Sequence, residues 1–492
     1  MAVQERTNVY DSVDENLMFA QAKLKNISGF SKGKFKTFQG KVEIGIAFIE
    51  NICDKDLVNS EVIYPLIQGD FEDYFSVLAE KLYTSSINSK KTNQMQDIIT
   101  ELLKGNTAVF FEKSSIALII QSRKIEKRAI DKPENEITVY AAKEAFVEDI
   151  DTNISMIIRR LPIQALQTSE FTAGKLSNTN LKLLWIKDLA SDEVIGEVKK
   201  RLNNVDTDMV DGASTLIEFI QDKPNGIFPT CRLTERPDMT ARALSAGYAA
   251  IICDNSPFAL IVPMSFWDNF KTMDDYSQFS YASSMLRVIR VLAFFISITI
   301  SPLYLAFVTY NHTIVPPSLA LNISQGREGV PFPSIIELMA MTIVIDIIRE
   351  AGTRMPGIVG YFIGTLGAVI IGQAAVAAGY VSVSLIIVVA FSAIASFAIS
   401  STTLVNTSRI INYILILLSG LMGIFGFFNG IAIFLWRMVT LESFGVPYLY
   451  PILPVEFQGW KDVFIRAPFK ALKYKLRLIS NRGSGNAGGE SK

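Results

Sequence analysis

Gly105-Asn-Thr-Ala-Val-Phe-Phe-Glu-Lys-Ser-Ser-Ile-Ala-Leu-Ile-Ile120 has a second copy in this chain, Gly247-Tyr-Ala-Ala-Ile-Ile-Cys-Asp-Asn-Ser-Pro-Phe-Ala-Leu-Ile-Val262, which aligns to it without gaps. Each copy places two runs of β-forming residues on either side of a short polar turn, a pattern that is typical of a β-hairpin. Each leading glycine follows a short helical pattern, as a glycine just past a helix C-terminus does. The repeat therefore predicts two α/β subdomains of the same design.

A second pair of similar segments lies upstream of the hairpins. Residues 44–52 and 181–189 each read as a strand, and each is followed by a turn and an acidic helix start, where carboxylates favour the positive end of the helix dipole. We place the first subdomain at 38–135 and the second at 178–286. Residues 1–37 are predicted to be an N-terminal extension, and 136–177 a helical linker with an apolar stripe at a spacing of three to four residues.

The distribution of charge separates a soluble part from a membrane part. Charged residues are dense up to about residue 286, whereas long stretches between 288 and 436 carry almost none. Four stretches are long enough to cross a bilayer, namely 288–310, 358–378, 383–403 and 410–436. Arginines precede the first stretch and a basic tail, 441–492, follows the last, so the positive-inside rule predicts that both flanks are cytosolic. No signal peptide is recognisable, and we expect a cytosolic N-terminal domain.

The remaining segment of the predicted membrane domain, 331–356, carries five charged residues. It begins with a capping box, Ser334-x-x-Glu337, and the spacing allows ion pairs from Asp346 to Arg349 and from Glu350 to Arg354. So many charges are too costly for a lipid-facing span. We therefore interpret this polar helix as re-entrant, interfacial or buried against other helices; it either lines a polar path or subunit contact, or lies amphipathic at the interface.

Glycines recur along two of the predicted spans. Gly360, Gly364 and Gly367 form one seam. Gly420, Gly423, Gly426 and Gly430 form another, at steps that keep them near one helical face. Small residues at such spacing allow another helix to pack closely, and we predict helix-packing faces at both seams.

The sequence carries no recognisable catalytic or cofactor-binding motif. Its one histidine, His312, lies outside the soluble domain, so a histidine-dependent triad or histidine-based metal site is not expected there. The three cysteines form no C-x-x-C pair and are predicted to be buried free thiols. The net charge of −1 argues against a nucleic-acid binder. We predict no enzyme activity, no cofactor and no metal.

Six short blocks resemble the signature of a known family, the A subunits of GerA-type spore germination receptors. They are Phe146-Val-Glu-Asp-Ile150, Thr234-Glu-Arg-Pro-Asp238, Glu328-Gly-Val-Pro-Phe-Pro-Ser-Ile-Ile-Glu337, Arg349-Glu-Ala-Gly-Thr-Arg354, Ile371-Gly-Gln-Ala-Ala-Val376 and Ser443-Phe-Gly-Val-Pro-Tyr448. The resemblance runs from about residue 41 to 454, with the blocks in the family's order. Departures at Thr342, Asp346, 142–143 and Val383 leave the branch of the family open.

The resemblance implies a membrane signalling protein in the inner membrane of a bacterial spore. It implies a carrier-like B subunit and a C-subunit lipoprotein as partners, a homo-oligomer embedded in membrane lipid, and a role as the ion-conducting part of a nutrient receptor that triggers germination. Asp346, Arg349, Glu350 and Arg354, with Glu337 behind them, are then the candidates for the ion path or gate.

Three other functions remain open from the sequence. A paralogous group of A-subunit-like proteins, associated with dipicolinate and ion release, shares this architecture and would amplify germination. A secondary transporter is less favoured, because such folds carry inverted membrane repeats with two interrupted helices and only one interruption is visible. A passive membrane anchor has no use for the charges within 331–356.

Overall fold

The computed structural model describes residues 8–36, 43–64, 89–123, 133–353, 367, 370–472 and 475–481. These residues form two compact units. The α/β unit comprises the chain up to 221, residues 231–263, and the segment from 475 onward, whereas the helical unit comprises 222–230 and 264–474.

The first half of the α/β unit is an antiparallel five-stranded sheet with the order β1-β2-β4-β5-β3. Its strands are β1 (Phe30–Lys36), β2 (Glu43–Ile49), β3 (Ser89–Thr92), β4 (Thr107–Phe111) and β5 (Ala117–Ile120). Its helices are α1 (Val13–Leu24), α2 (Lys55–Val58) and α3 (Met95–Leu103). All of β4 and β5 is buried, which explains why these strands read as continuous apolar runs.

The second half repeats this arrangement, with the strand order β6-β7-β9-β10-β8. Its strands are β6 (Leu166–Ala173), β7 (Thr179–Ile186), β8 (Arg232–Thr234), β9 (Ala249–Cys253) and β10 (Ala259–Val262). Its helices are α4 (Ile150–Arg160), α5 (Asp192–Asn203), α6 (Ala213–Ile220) and α7 (Pro237–Ala246).

The predicted hairpins are present in both halves and in the same register. Ala108 pairs with Ile119 in the first, and Ala250 pairs with Ile261 in the second, at equivalent positions of the repeat. Both leading glycines have a left-handed backbone, with φ of 93° at Gly105 and 103° at Gly247. A glycine is needed there because an L side chain is strained at such φ values. The predicted fold class of two similar α/β subdomains is therefore confirmed.

The predicted boundaries of the subdomains need correction, because strand pairing extends both of them toward the N-terminus. β1 pairs with β2 along its whole length, so 30–36 belongs to the first sheet and not to an extension. β6 pairs with β7 over eight residues, so 166–173 belongs to the second sheet and not to a linker. Both strands are partly exposed edge strands whose polar residues hid them in the sequence.

The helical unit contains the predicted membrane segments. Its helices are α8 (Asp274–Ser277), α9 (Ser280–Thr309), α10 (Pro317–Gln325), α11 (Ser334–Thr353), α12 (Val383–Phe397) and α13 (Thr402–Val439), and residues 370–377 are also helical. A two-stranded ribbon follows, formed by β11 (Glu442–Ser443) and β12 (Val446–Pro447). Among the described residues, α9 and α13 are long and apolar enough to cross a membrane.

Helix α13 is not one straight helix but a hairpin of two arms. Gly423 has φ 62° and ψ −143°, which breaks the helix. A Cβ atom at Gly426 would lie 2.1 Å from the carbonyl oxygen of Leu418, and one at Gly430 would lie 2.5 Å from the side chain of Leu415. In a straight helix residues 415 and 430 would stand about 22 Å apart. The prediction of one span over 410–436 is therefore wrong, and the glycine seam packs arm on arm.

Helix α11 is an uninterrupted helix of 20 residues, about 30 Å long. Leu338 and Met341 are buried in a cluster with Leu305 of α9, Leu385 of α12 and Ile416 of α13. Of the three placements that the sequence left open for the polar helix, the structure describes the one in which it is buried against other helices. The number of membrane crossings remains a prediction.

The segment predicted to be a basic tail is not a separate element. Tyr448 and Tyr450 are fully buried, and the backbone oxygen of Tyr448 accepts a hydrogen bond from Phe266 within the helical unit. Farther along, Ser480 forms a β-bridge with Ala190 in the α/β unit, and Ile479 is buried. Apolar and hydroxyl side chains between the basic residues make these contacts.

Candidate functional site

The middle of the helical unit contains a small polar cavity of about 30 Å³ between α9, α11, α12 and α13. Two side chains of the polar helix α11, Asp346 and Arg349, line it. The other polar lining residues are Ser297, Ser301, Thr342, Ser392, Ser396, Ser408, Arg409, Asn412 and Tyr413. Two of the five predicted charged residues thus meet polar groups from three other apolar helices.

Asp346 binds across to α13 and not along its own helix. Its Oδ2 accepts a hydrogen bond of 2.7 Å from the Tyr413 hydroxyl, and its Oδ1 lies 3.5 Å from Nε of Arg409. The predicted ion pair from Asp346 to Arg349 is therefore wrong. The helical spacing allowed that pair, but two polar partners on the facing arm of α13 take the carboxylate instead.

Arg349 makes a different contact, toward α12. Its Nη2 donates a hydrogen bond of 2.7 Å to Oγ of Ser396, and its guanidinium stacks over the ring of Phe397 at 4.5 Å from the ring centre. Its Nε and Nη1 are buried and have no hydrogen-bond acceptor among the described residues. Asp346 and Arg349 therefore tie one helix to two different neighbours.

Glu337 lies near the N-terminus of α11 and is fully buried. The predicted capping box with Ser334 is wrong, because Oε1 of Glu337 accepts a hydrogen bond of 2.6 Å from the backbone N–H of Ser382, just before α12. Nη2 of Arg327 lies 3.7 Å from Oε2, and Ser334 contacts Arg327. Glu337 thus joins α11 to the start of α12, away from the cavity.

A family comparison decides what kind of protein carries this cavity. Residues 20–478 match the family described as Bacillus/Clostridium GerA spore germination protein. The chain belongs to the GerA family of spore germination proteins. Membership makes it a receptor A subunit rather than an enzyme, and its apolar helices make it a membrane protein.

Individual relatives of this GerA chain agree with the family match. Spore germination protein KA of Bacillus subtilis (strain 168) is 35% identical over 445 residues, which cover 90% of this chain and 82% of the relative. The uncharacterized membrane protein YfkQ of the same organism is 32% identical over 446 residues, which cover 90% and 86%. The crystal structure of the N-terminal domain of the A subunit of the Bacillus megaterium spore germinant receptor GerK3 is similar at 26% identity and a TM-score of 0.41, covering 53% of this chain and 98% of that one.

The other predicted site residues of the GerA chain fall into two groups. Glu350 is exposed and does not line the cavity, and Gly367 faces Ile348 of α11 at 3.8 Å. Gly420 faces Ile335 of α11. Arg354, Gly360 and Gly364 lie outside the described residues.

Two members of the polar cluster, Arg409 and Tyr413, were missed by the sequence reading. They stand four residues apart, so they share one face of α13, and a search for polar residues at helical spacing would have found them. They were overlooked because they sit at the start of the apolar stretch 410–436. A positive charge there was read as a flank and not as a partner for Asp346.

A second charged network of the GerA chain was also missed, at the start of α9. Nε and Nη2 of Arg287 donate to Asp275 at 3.2 and 3.1 Å, and Nη1 donates to the Asp462 carboxylate at 2.9 Å. Arg290 also binds Asp275. Lys271 completes the network, 2.9 Å from Asp268 and 3.6 Å from Asp462.

This network is electrically balanced. Three cations face three carboxylates in it: Arg287, Arg290 and Lys271 with Asp275, Asp462 and Asp268. Burial alone would raise the pKa of Asp275, but a hydrogen bond from Arg290 and the charge of Arg287 hold it below its usual range. Burial opposes Lys271 and Arg287 in the same way at Asp462, whose pKa is also lowered. Both carboxyls are therefore ionised at neutral pH. The predicted role of Arg287 and Arg290 as simple cytosolic flank charges is thus incomplete.

The three cysteines are buried free thiols, as predicted. Burial and the neighbouring Asp254 raise the pKa of Cys253 to about 12, so this thiol is protonated and unreactive at neutral pH. Among the described residues no group of acidic, histidine or cysteine side chains could hold a metal ion.

Proposed function

We propose that this GerA-family A subunit controls ion movement across the spore membrane in response to a nutrient, with the cavity beside α11 as its conducting or gating element. One observation carries the proposal: Asp346 and Arg349 of one helix bind Tyr413, Arg409 and Ser396 of two neighbouring helices in the middle of an apolar bundle. Glu350, Arg354 and Glu337 are the further candidates on the same polar segment.

The energetics of buried charge support a gating role. Charged side chains deep in a membrane bundle are costly and are stable only when they meet partners or water. Here each partner sits on a different helix, so a shift of α11 relative to α12 or α13 would exchange partners rather than deform the packing gradually. Such an exchange is the kind of two-state element through which a signal from another subunit can act.

The proposed partners are a carrier-like B subunit, a C-subunit lipoprotein and further copies of this chain. The exposed faces of the α13 arms support contacts with lipid or with other helices, because large apolar side chains cover them. They include Leu417, Leu421, Phe425, Phe428 and Trp436. The site of action that we propose is the inner membrane of the spore.

The topology that we propose has six crossings. The two arms of α13 replace the single span 410–436, and α11 is long enough to cross, which adds two crossings to the four predicted from hydropathy. An even number is supported by the chain's course, because the residues before 222 and after 474 lie in the same α/β unit. The N-terminal unit and the tail would then both be cytosolic.

Arg349→Ala is expected to abolish nutrient-triggered release of monovalent cations without removing the protein from the spore membrane. The change deletes the contact to Ser396 while leaving the apolar surface of α11 in place. The measurements are cation release from spores and immunodetection in the membrane fraction. Arg437→Ala is the matched control, since Arg437 lies at the end of α13 away from the cavity lining. Normal release by Arg349→Ala spores would refute the role of the cavity.

Deletion of the whole gene distinguishes a receptor subunit from the paralogue that amplifies release. Spores without the gene are expected to lose the response to one class among amino acids, sugars and nucleosides, with other classes intact. The readouts are cation and dipicolinate release for each nutrient. A uniform slowing across all nutrients would contradict the receptor assignment and favour the downstream paralogue.

A further inference from the structure

We propose that the cavity between Arg349 and Arg409 binds a small inorganic anion of the size of chloride. The inference rests on the proposed function in that it takes the same cavity as the functional site, and it adds the chemical class of its ligand. The ligand would link α11 to α13 through the two guanidinium groups.

The first support is a set of hydrogen-bond donors without acceptors. Nε and Nη1 of Arg349 and Nε of Arg409 are buried and make no hydrogen bond among the described residues. An arginine side chain has only donors, so it requires acceptors when it is removed from water. The serine hydroxyls do not release further donors, because those of Ser392, Ser396 and Ser408 already donate to backbone carbonyls. An acceptor placed in the cavity would therefore meet guanidinium N–H groups.

The second support is the charge of the lining. The described residues around the cavity include two arginines and one carboxylate, Asp346, whose two oxygens are engaged by Tyr413 and Arg409. One positive charge is left over in surroundings of low polarity, where an unpaired charge is strongly disfavoured. The network around Arg287 matches cations and carboxylates one for one. The cavity is the place where the helical unit leaves the charge unmatched.

The third support is size. A volume of about 30 Å³ holds roughly two water molecules or one monatomic anion. An amino acid, sugar or nucleoside does not fit, so the ligand is not the nutrient. The chemistry that matches is a singly charged acceptor without donors of its own, which describes a halide.

The test uses the purified full-length chain in lipid nanodiscs. The midpoint of thermal unfolding is measured in sodium chloride and in sodium gluconate at equal ionic strength. We expect a saturable rise of the midpoint with chloride in the wild-type chain, loss of that rise in Arg349→Gln and its retention in Arg437→Gln. If Arg349→Gln does not fold, Arg409→Gln takes its place, and broadening of the chloride-35 resonance by the wild-type chain provides a second readout.

The outcomes separate this inference from the proposed function. Equal midpoints of the wild-type chain in both salts, with no line broadening, overturn the anion site in favour of a cavity that holds only water. The gating role survives that result if Arg349→Ala spores still fail to release cations. Chloride binding together with normal germination of Arg349→Ala spores supports the anion site and overturns the proposed function.

Discussion

Arg287→Ala is expected to lower the free energy of unfolding of the helical unit by roughly 3–5 kcal/mol, the cost of breaking a buried ion pair from one side. The Arg287 side chain is fully buried, and Asp275 is 1% exposed. Removal of the guanidinium leaves Asp275 with Arg290 alone and deprives Asp462 of its shortest ion pair. Two carboxylates would then lose partners at the point where α9 begins.

The measurement is the midpoint of thermal unfolding of the purified chain, together with its amount in the membrane. Lys461→Ala is the matched control, because Lys461 neighbours Asp462 in sequence but is exposed and makes no ion pair among the described residues. Arg287→Lys should fall between the two, since an ammonium group keeps the charge but cannot reach both carboxylates with a planar fork. A midpoint of Arg287→Ala within the error of Lys461→Ala would show that the network contributes little.

Gly423→Ala is expected to destabilise the hairpin of α13 by about 3 kcal/mol, more than a left-handed backbone alone explains. Gly423 has φ 62° with ψ −143°, a conformation that is almost exclusive to glycine. A Cβ atom there would also lie 2.9 Å from Cβ of Tyr310 and 3.0 Å from Oδ1 of Asn311. Asn311 accepts a hydrogen bond from Ile424, so the added methyl group would push the tip of the hairpin away from the end of α9.

Gly379→Ala is the matched control, because Gly379 has φ 72° but no atom within 4 Å of its added Cβ. It isolates the backbone strain, about 1–2 kcal/mol. The comparison is the shift in unfolding midpoint of each variant, and equal shifts would contradict the close packing at the tip. A direct check is a cysteine pair introduced by Leu415→Cys and Gly430→Cys. It should form a disulfide only if the two arms lie side by side.

The repeat in the α/β unit was predictable because its signal is local. A hairpin needs two β-forming runs and a turn, and each copy carries all of these within 16 residues. The outer strands β1 and β6 were not found, because an edge strand has one exposed side and its residues show no continuous apolar run. Their place in the sheet depends on a partner that lies elsewhere in the chain.

The candidate site was predictable in part, for a related reason. Charges within an apolar stretch stand out in a sequence, so Asp346, Arg349 and Glu337 were singled out correctly as unusual residues. Their partners were predicted along the same helix, because spacing of three or four residues is the only geometry that a sequence displays directly. The actual partners, Tyr413 and Ser396, lie 67 and 47 residues away.

The sequence by itself therefore determined the division into a soluble and a membrane part, the duplicated hairpins and the segment that carries the buried charges. These follow from composition and from periodicity over a few residues, which act locally. Only the tertiary structure decided that 402–439 folds back on itself at Gly423, and that Arg287 and Asp275 form a buried pair. It alone also left one arginine charge unmatched beside α11. Those features depend on which helices face one another, because burial and pairing are properties of the packed bundle and not of any single helix.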